Sequence, residues 1–189
     1  MDIETIKQFC SGLDKGRPQL MKPWQRDGYI YSTDGVMIIR VPAGIVNSSV
    51  DDEPGAPSGS HVFDMTPIPQ TFYPIPDIEP PAEQPREKEA CDRCSGEGVA
   101  ECPTCGQEAP CDECEGTGKV TPKKNDKRIT IGGLDFAATK LYRIKTLLPG
   151  AHIGPNLKRK GAESMPAARI RFDGGEGLIM PMKPEITNK

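Results

Sequence analysis

Cysteines are the residues of this chain whose type and spacing indicate chemistry. Six of the seven form three Cys-x-x-Cys pairs, and the first and third pairs are each followed by x-Gly-x-Gly. Glycines at these positions adopt positive φ without strain and let backbone amides approach the sulfurs. The three pairs are Cys91/Cys94, Cys102/Cys105 and Cys111/Cys114.

The spacing of the outer pairs is that of a metal site. Two cysteines three positions apart can direct both thiolates to one tetrahedral ion when the chain turns sharply between them. Sixteen residues separate Cys94 from Cys111, within the range expected for a four-cysteine zinc site. A fully sulfur-ligated ion is the closed arrangement of structural zinc, whereas catalytic zinc keeps a position for water. The sequence therefore predicts structural Zn²⁺; disulfides and free buried thiols are the alternatives.

The motif C-x-x-C-x-G-x-G, complete at 91–98 and 111–118, resembles the cysteine-rich zinc modules of DnaJ chaperones and of anti-TRAP. In DnaJ modules the outer repeats share one ion and the inner repeats share another. The resemblance therefore implies that the two outer pairs of this chain share one zinc. The ligands that it implies are Cys91, Cys94, Cys111 and Cys114.

The middle pair, Cys102/Cys105, departs from this pattern because it lacks the x-Gly-x-Gly tail. It keeps the Cys-Pro-x-Cys-Gly form of a zinc knuckle, and we include it among the candidate metal ligands. An obvious second pair is missing, so one or two ions per chain are both compatible with the sequence. Its candidate partners are Cys10, His61, His152 or another subunit, or it holds no metal.

Composition narrows the function classes. The chain has 189 residues, 35% of them hydrophobic, with twenty prolines and twenty glycines, which fits one ordinary domain or two small ones. No P-loop, nucleophile elbow or histidine–acid pair is visible, so we predict a protein that is not an enzyme.

The N-terminus is polar, and no apolar run is long enough for a membrane span. These features predict a cytoplasmic protein without membrane contact.

Charge is segregated along the chain. Residues 51–118 contain sixteen acidic and three basic side chains, whereas residues 119–160 contain eleven basic and two acidic ones. A charge run is usually a solvated face, but this segregation also permits a polyanion-binding surface in the second half. The acidic part, conversely, can compete with DNA for a basic protein surface.

Local patterns predict the elements that must hold these residues. Residues 3–11 have helical spacing with Asp2 as N-cap, and Asp34-Gly35 between two β-rich runs predicts a hairpin. Repeated prolines in 47–90 favour an extended, partly docked linker. The remaining predicted elements are a helix at 136–148 and strands at 128–131, 168–172 and 177–182.

The two outer segments repeat the order of a helix followed by strands, ending in a hairpin. This order predicts an α+β fold in which one domain of two similar halves is interrupted by the linker and the zinc module. The predicted divisions are 1–46, 47–90, 91–120 and 121–189.

Two short motifs in the outer segments resemble the bacterial sliding clamp, the beta subunit of DNA polymerase III. They are Thr33-Asp34-Gly35 before an apolar strand and Met180-Pro181-Met182 near the C-terminus. The resemblance implies a single clamp-like domain whose helix 136–148 faces DNA. The nucleic-acid-binding residues that it implies are Lys140, Arg143, Lys145, Lys158, Arg159 and Lys160.

Clamp-like ends joined to a DnaJ-like finger resemble bacteriophage or prophage proteins. The resemblance implies a zinc-binding adaptor that engages DNA, non-specifically, or replication and repair machinery. The alternative is a protein-interaction module that captures or blocks a host protein through its finger and acidic linker. A host or phage protein is the expected partner in either case, and oligomerisation is compatible with both, because a clamp ring needs several such domains.

Overall fold

The computed structural model of the chain describes residues 1–11, 20–50, 59–80, 88–101, 106–120, 126–156 and 167–183. The chain divides into two compact units: unit 1 contains Met1–Pro81 and Lys127–Lys189, and unit 2 contains Ala82–Asp126. Helices and antiparallel strands are both present, which confirms a mixed α and β fold. None of the helices in the described ranges is long and apolar enough to cross a bilayer.

Three α-helices and thirteen strands occur among the described residues, together with single 3-10 turns at Ala43–Ile45 and Asp92–Cys94. The helices are α1 (Ile3–Lys7), α2 (Gly59–Met65) and α3 (Ala138–Leu147). The strands are β1 (Trp24–Arg26), β2 (Tyr29–Thr33), β3 (Met37–Pro42), β4 (Tyr73–Pro74), β5 (Glu89–Ala90), β6 (Val99–Glu101), β7 (Glu108–Pro110), β8 (Lys119–Val120), β9 (Arg128–Ile131), β10 (Leu134–Ala137), β11 (His152–Gly154), β12 (Ala168–Phe172) and β13 (Gly175–Ile179).

Unit 1 is organised around a seven-stranded sheet with the order β1-β2-β3-β13-β12-β11-β4. The predicted turn at Asp34-Gly35 joins β2 to β3. At the centre β3 pairs with β13, where Ile39 lies opposite Gly177. Strands from the two outer segments of the chain therefore belong to one sheet. Two three-stranded meanders, β1-β2-β3 and β11-β12-β13, thus meet edge to edge, with α1 preceding one and α3 preceding the other.

The main core lies on the side of the sheet that packs against α1 and α3. Alternate strand residues such as Ile39 and Ile170 point towards it, and the α3 stripe of Leu141, Ile144 and Leu148 is fully buried. Spacings of three and four residues place this stripe on one helix face. This stripe is therefore the inward face of the helix.

Helix α2 covers part of the opposite face of the sheet, within the stretch predicted as an extended linker. Residues 59–65 are helical, and Phe63 is fully buried in a second cluster with Trp24, Tyr31 and Leu178. Although this stretch is rich in prolines, it docks on the sheet because one aromatic side chain is buried against an apolar face. The linker prediction therefore differs from the structure here.

Several element boundaries differ from the sequence predictions. Helix α1 is capped by Asp2 as predicted, but it ends at Lys7 and continues only as turns. Strand β10 occupies the first residues of the predicted helix 136–148, because Gly132-Gly133 closes a hairpin between β9 and β10. Strand β1 and strand β11 were not predicted, since each has only three residues and too short a pattern to detect.

Unit 2 is built from two short antiparallel strand pairs and the turns that carry the cysteines. Strand β5 pairs with β8 at the two ends of the unit, and β6 pairs with β7 between them. Its buried apolar cluster consists of the four outer cysteines, with Ala100 and Val120 partly buried against them. A core this small offers little burial to stabilise a fold.

Candidate metal centre

The four outer cysteines of unit 2 form one compact, buried cluster. Their sulfurs all lie within 4.8 Å of one another. The Sγ–Sγ distance is 3.8 Å between Cys91 and Cys111 and 3.7 Å between Cys94 and Cys114. A tetrahedral ion with metal–sulfur bonds of about 2.3 Å places its sulfurs about 3.8 Å apart, whereas a disulfide requires about 2.05 Å. The cluster can therefore hold one metal ion, and the four thiols are not disulfide-bonded.

The same backbone turn presents each pair of cysteines. After Cys94 the chain adopts positive φ at Ser95 (52°) and Gly96 (87°), and after Cys114 it does so at Glu115 (51°) and Gly116 (77°). A left-handed residue directly after the second cysteine reverses the chain within one turn. Because only glycine enters this region without strain, the x-Gly-x-Gly tail is a structural requirement of the turn.

Backbone amides are aimed at the sulfur that closes each turn. The Gly98 N–H donates to Cys94 Sγ at 3.2 Å, and the Gly118 N–H donates to Cys114 Sγ at 3.3 Å. An N–H directed at sulfur stabilises the thiolate, which is the form that ligates a metal. Both hydrogen bonds are therefore suited to a thiolate that binds a metal.

The two turns are joined to each other through reciprocal backbone bonds. The Cys91 N–H donates to the Gly118 carbonyl and the Cys111 N–H donates to the Gly98 carbonyl, both at 2.9 Å. Each cysteine turn therefore depends on the glycine tail of the other. This cross-connection places the two pairs close enough to share one ion.

The pKa values of the two thiols of the first pair are shifted in opposite directions. Burial raises the pKa of the Cys91 thiol above its ordinary value. Burial acts in the same direction at Cys94, but the Gly98 amide and the adjacent thiols outweigh it, so the pKa of that thiol is lowered. A divalent ion would displace the remaining protons, because metal binding selects the thiolate.

We expect Gly118→Ala to weaken metal binding far more than Gly96→Ala. A Cβ at Gly118 would lie 2.1 Å from the Gly96 carbonyl oxygen, whereas a Cβ at Gly96 would first meet Ala90 Cβ at 3.5 Å. Both positions have positive φ, so both variants carry the same class of backbone strain, and only Gly118→Ala adds a clash with backbone. Competition with a chelator should show at least about tenfold lower affinity for Gly118→Ala than for Gly96→Ala. Equal affinities would contradict this account of the turns.

The middle pair, Cys102 and Cys105, lies outside the described residues. Of its candidate partners, Cys10 Sγ lies 3.1 Å from Ser32 Oγ, and His152 Nδ1 lies 2.8 Å from the Gly150 carbonyl. His61 is exposed on α2. Within the described residues these three side chains belong to no cluster of metal-ligating groups.

The predicted nucleic-acid-binding residues of α3 are engaged in ion pairs within unit 1. Lys140 Nζ donates to Asp34 Oδ2 at 2.5 Å, and Arg143 donates to the same oxygen. Lys145 pairs with the exposed carboxylate of Asp77. The other three predicted residues, Lys158, Arg159 and Lys160, lie outside the described residues.

Asp34 is the centre of this network and is itself nearly buried. Its Oδ1 accepts from the N–H groups of Val36 and Met37, so the carboxylate also shapes the β2–β3 turn. Burial would raise the pKa of Asp34, but hydrogen bonding and charge from Lys140, with a hydrogen bond from Arg143, outweigh it and lower the pKa to about 2. The α3 cations therefore hold a turn in the structure.

An apolar groove of about 240 Å³ opens on the α2 side of the sheet. Its walls include the β2–β3 turn, the first turns of α2 and the end of β13. Val36, Val62 and Met180 are 44%, 45% and 41% exposed along it. Trp24 also lines the groove, is 1% exposed, and its indole Nε1 has no hydrogen-bond partner among the described residues.

Sequence reasoning missed this groove, although it identified two of its parts. Thr33 and Gly35 of the first clamp-like motif and Met180 of the second line the same groove, and the Met180 N–H donates to the Val36 carbonyl at 2.9 Å. The signal available in the sequence was that both motifs were predicted to resemble the same family. A comparison of this chain with protein-family models, with curated proteins and with solved structures yields no match.

Proposed function

We propose that this protein is a non-enzymatic adaptor that binds zinc in unit 2 and docks a segment of a protein partner in the groove of unit 1. The observation that carries the proposal is the meeting of two distant clamp-like motifs at one exposed apolar groove. Contiguous exposed apolar surface on a protein commonly marks a site of interaction. The partner class that follows is replication or repair machinery.

Zinc is the ion that best fits the centre in unit 2. Four thiolates at the spacing of a tetrahedron suit zinc, and none of the four positions is left for water. Because all ligands are sulfur, the ion would stabilise the fold without activating a nucleophile. The role of the metal in this proposal is to make a rigid interaction module.

The groove has the chemistry of a peptide site. Its exposed side chains are aliphatic or thioether, and they suit one or two apolar side chains of a partner. The indole N–H of Trp24 is a buried donor beneath the groove, and a partner segment that displaces the wall above it would supply the missing acceptor. A buried donor without an acceptor costs free energy, so a ligand that supplies the acceptor regains it.

The arrangement of unit 1 supports the clamp resemblance. A helix followed by a three-stranded meander occurs in each half of the sheet, and the two meanders meet at β3 and β13. The element order of a clamp domain is similar. This likeness is the reason for naming replication or repair machinery as the partner class.

A protein is favoured over DNA as the partner because the α3 cations are already paired. Lys140 and Arg143 both donate to Asp34, so phosphate contact would have to break ion pairs at a nearly buried carboxylate. The alternative adaptor surface is unit 2, where residues 91–118 carry seven acidic side chains and one basic one. This surface would capture a basic protein without the groove.

We expect Val36→Asp to abolish capture of the partner, since it places a charge in the apolar groove. Tagged wild-type protein and variants would be compared in pull-downs from bacterial lysate, with retained proteins quantified by mass spectrometry. Val99→Asp is the matched control, because Val99 is 40% exposed and lies on β6 of unit 2. Proteins specific to the wild type should be lost with Val36→Asp and kept with Val99→Asp.

Trp24→Phe provides a second readout in the same experiment. It removes the unpartnered N–H and keeps an aromatic ring, so capture should weaken; because Trp24 is buried, the melting temperature is measured as well, and capture is compared under conditions where both proteins are folded. If Val36→Asp retains the same proteins as the wild type, the groove is not the docking site. If capture is lost instead with Cys114→Ser, unit 2 is the capturing surface.

A further inference from the structure

A second cleft, of about 410 Å³, lies on the same face of the sheet as α2. Its walls include aliphatic and aromatic side chains, and two of the aliphatic ones are well exposed: Ile45 by 41% and Ile68 by 73%. Its floor carries charged side chains from three adjacent strands. These are Arg40, Arg169, Arg171 and Glu176.

Two of the three arginines are already committed to partners in unit 1. Arg40 donates to Glu176 Oε1 through Nε at 2.9 Å, and Arg169 donates to Glu176 Oε2 at 2.8 Å. Arg169 also donates to the carbonyls of Phe63 and Thr66, at the end of α2. Both oxygens of Glu176 are therefore occupied, and these side chains form a fixed floor.

Arg171 differs from the other two arginines of the cleft. Its guanidinium lies over the Phe72 ring, 4.6 Å from the centroid, and its side chain is exposed. It stands across from Glu176 in the sheet, but that carboxylate is already shared by Arg40 and Arg169. Among the described residues Arg171 has no carboxylate partner. Stacking on a ring fixes the guanidinium plane and leaves its N–H edge available for a planar anion.

We infer that this cleft binds a carboxylate next to an aliphatic side chain, as an acidic, leucine-rich peptide segment presents them. Arg171 would take the carboxylate through two parallel N–H···O bonds, and Ile45 and Ile68 would contact the aliphatic group. The site is separate from the groove lined by Trp24 and Val36, so this inference does not depend on the proposed function.

The cleft suits a peptide better than a single-stranded nucleic acid. Binding of bases uses aromatic rings with a free face. Here Arg40 lies over the Tyr29 ring at 4.7 Å and Arg171 over the Phe72 ring, so a guanidinium covers one face of each aromatic side chain. The exposed surface that remains is aliphatic, which matches leucine or isoleucine in the ligand.

Fluorescence anisotropy with the full-length, metal-loaded protein tests this inference. The probe is a labelled, end-blocked pentapeptide that alternates leucine and glutamate; the comparison probes are its glutamine counterpart and a labelled five-nucleotide oligothymidine. Arg171→Gln should weaken binding of the glutamate peptide about tenfold, since a charge-assisted pair is lost. Lys7→Gln, which removes one positive charge on exposed α1, should change it by less than about twofold.

Arg171→Lys refines the test, because it keeps the positive charge but loses the planar guanidinium with its two parallel N–H donors. It should bind the peptide more weakly than the wild type and more tightly than Arg171→Gln. Unchanged melting temperatures of the variants verify the fold. The inference is overturned if the glutamine peptide binds as well as the glutamate peptide, if Arg171→Gln and Lys7→Gln behave alike, or if no peptide binding is detected. Tighter binding of the oligothymidine would assign the cleft to nucleic acid instead.

Discussion

Replacing Cys91 or Cys114 by serine is expected to release the metal and to unfold unit 2, while unit 1 remains folded. The buried cluster of unit 2 consists of the four thiols of the candidate metal centre, and the only hydrophobic residues packed against them among the described residues are the partly buried Ala100 and Val120. Structural zinc contributes on the order of 10 kcal/mol to small domains of this kind, which is more than such a core can replace. Loss of one ligand should therefore remove most of the stability of the unit.

Metal analysis and limited proteolysis would measure this effect together. Cys10→Ser is the matched control, because Cys10 lies in unit 1 and contacts Ser32. We expect about one zinc per wild-type or Cys10→Ser chain, and cleavage within 82–126 only in the two ligand variants. Wild-type zinc content in both ligand variants would refute the assignment. Two ions per chain would instead indicate that Cys102 and Cys105 have found partners.

Asp34→Ala is expected to destabilise unit 1 by about 2–3 kcal/mol, because it leaves two cations without their carboxylate and removes the acceptor of the β2–β3 turn. Chemical denaturation followed by the fluorescence of Trp24 would measure the change. Asp77→Ala is the matched control: among the described residues its fully exposed carboxylate pairs with Lys145, and solvent screens that pair, so the loss of stability should be much smaller than for Asp34→Ala. Equal losses in the two variants would show that Asp34 does not organise the turn.

The same carboxylate predicts how the stability of unit 1 depends on pH. The pKa of Asp34 is lowered from 3.8 to about 2 in the folded protein. Its contribution is therefore fully present above about pH 4 and is lost as the pH falls towards 2. After allowance for solvent screening, the loss amounts to about 1–2 kcal/mol. In Asp34→Asn the free energy of unfolding should depend less on pH in this range. The same pH dependence in the variant and the wild type would contradict the prediction.

The Asp34 network also changes the interpretation of the basic residues of α3 as a DNA-binding surface. Charge segregation suggested a surface for phosphate, and the clamp resemblance implied that Lys140 and Arg143 belong to it. Both side chains instead meet a carboxylate more than a hundred residues away in the chain. A basic helix face is open to a polyanion only when its cations are not already paired, and a sequence does not report that pairing.

The sequence alone determined the features that depend on neighbouring residues. The local conformation of each cysteine turn follows from eight consecutive residues, since they contain the ligand spacing and the glycines; the bonds that join the two turns do not. The β2–β3 hairpin follows in the same way from Asp34-Gly35 between two apolar runs. For the same reason the inward stripe of α3 was predictable from its spacing.

Only the tertiary structure decided which distant side chains meet. The groove combines Trp24, Val36, Val62 and Met180, and the second cleft combines Arg171 with Phe72 and Ile68. These combinations depend on the pairing of β3 with β13 and on the docking of α2 through Phe63. Strand register and the seating of a helix are set by the burial of the whole unit, so no local pattern contains them.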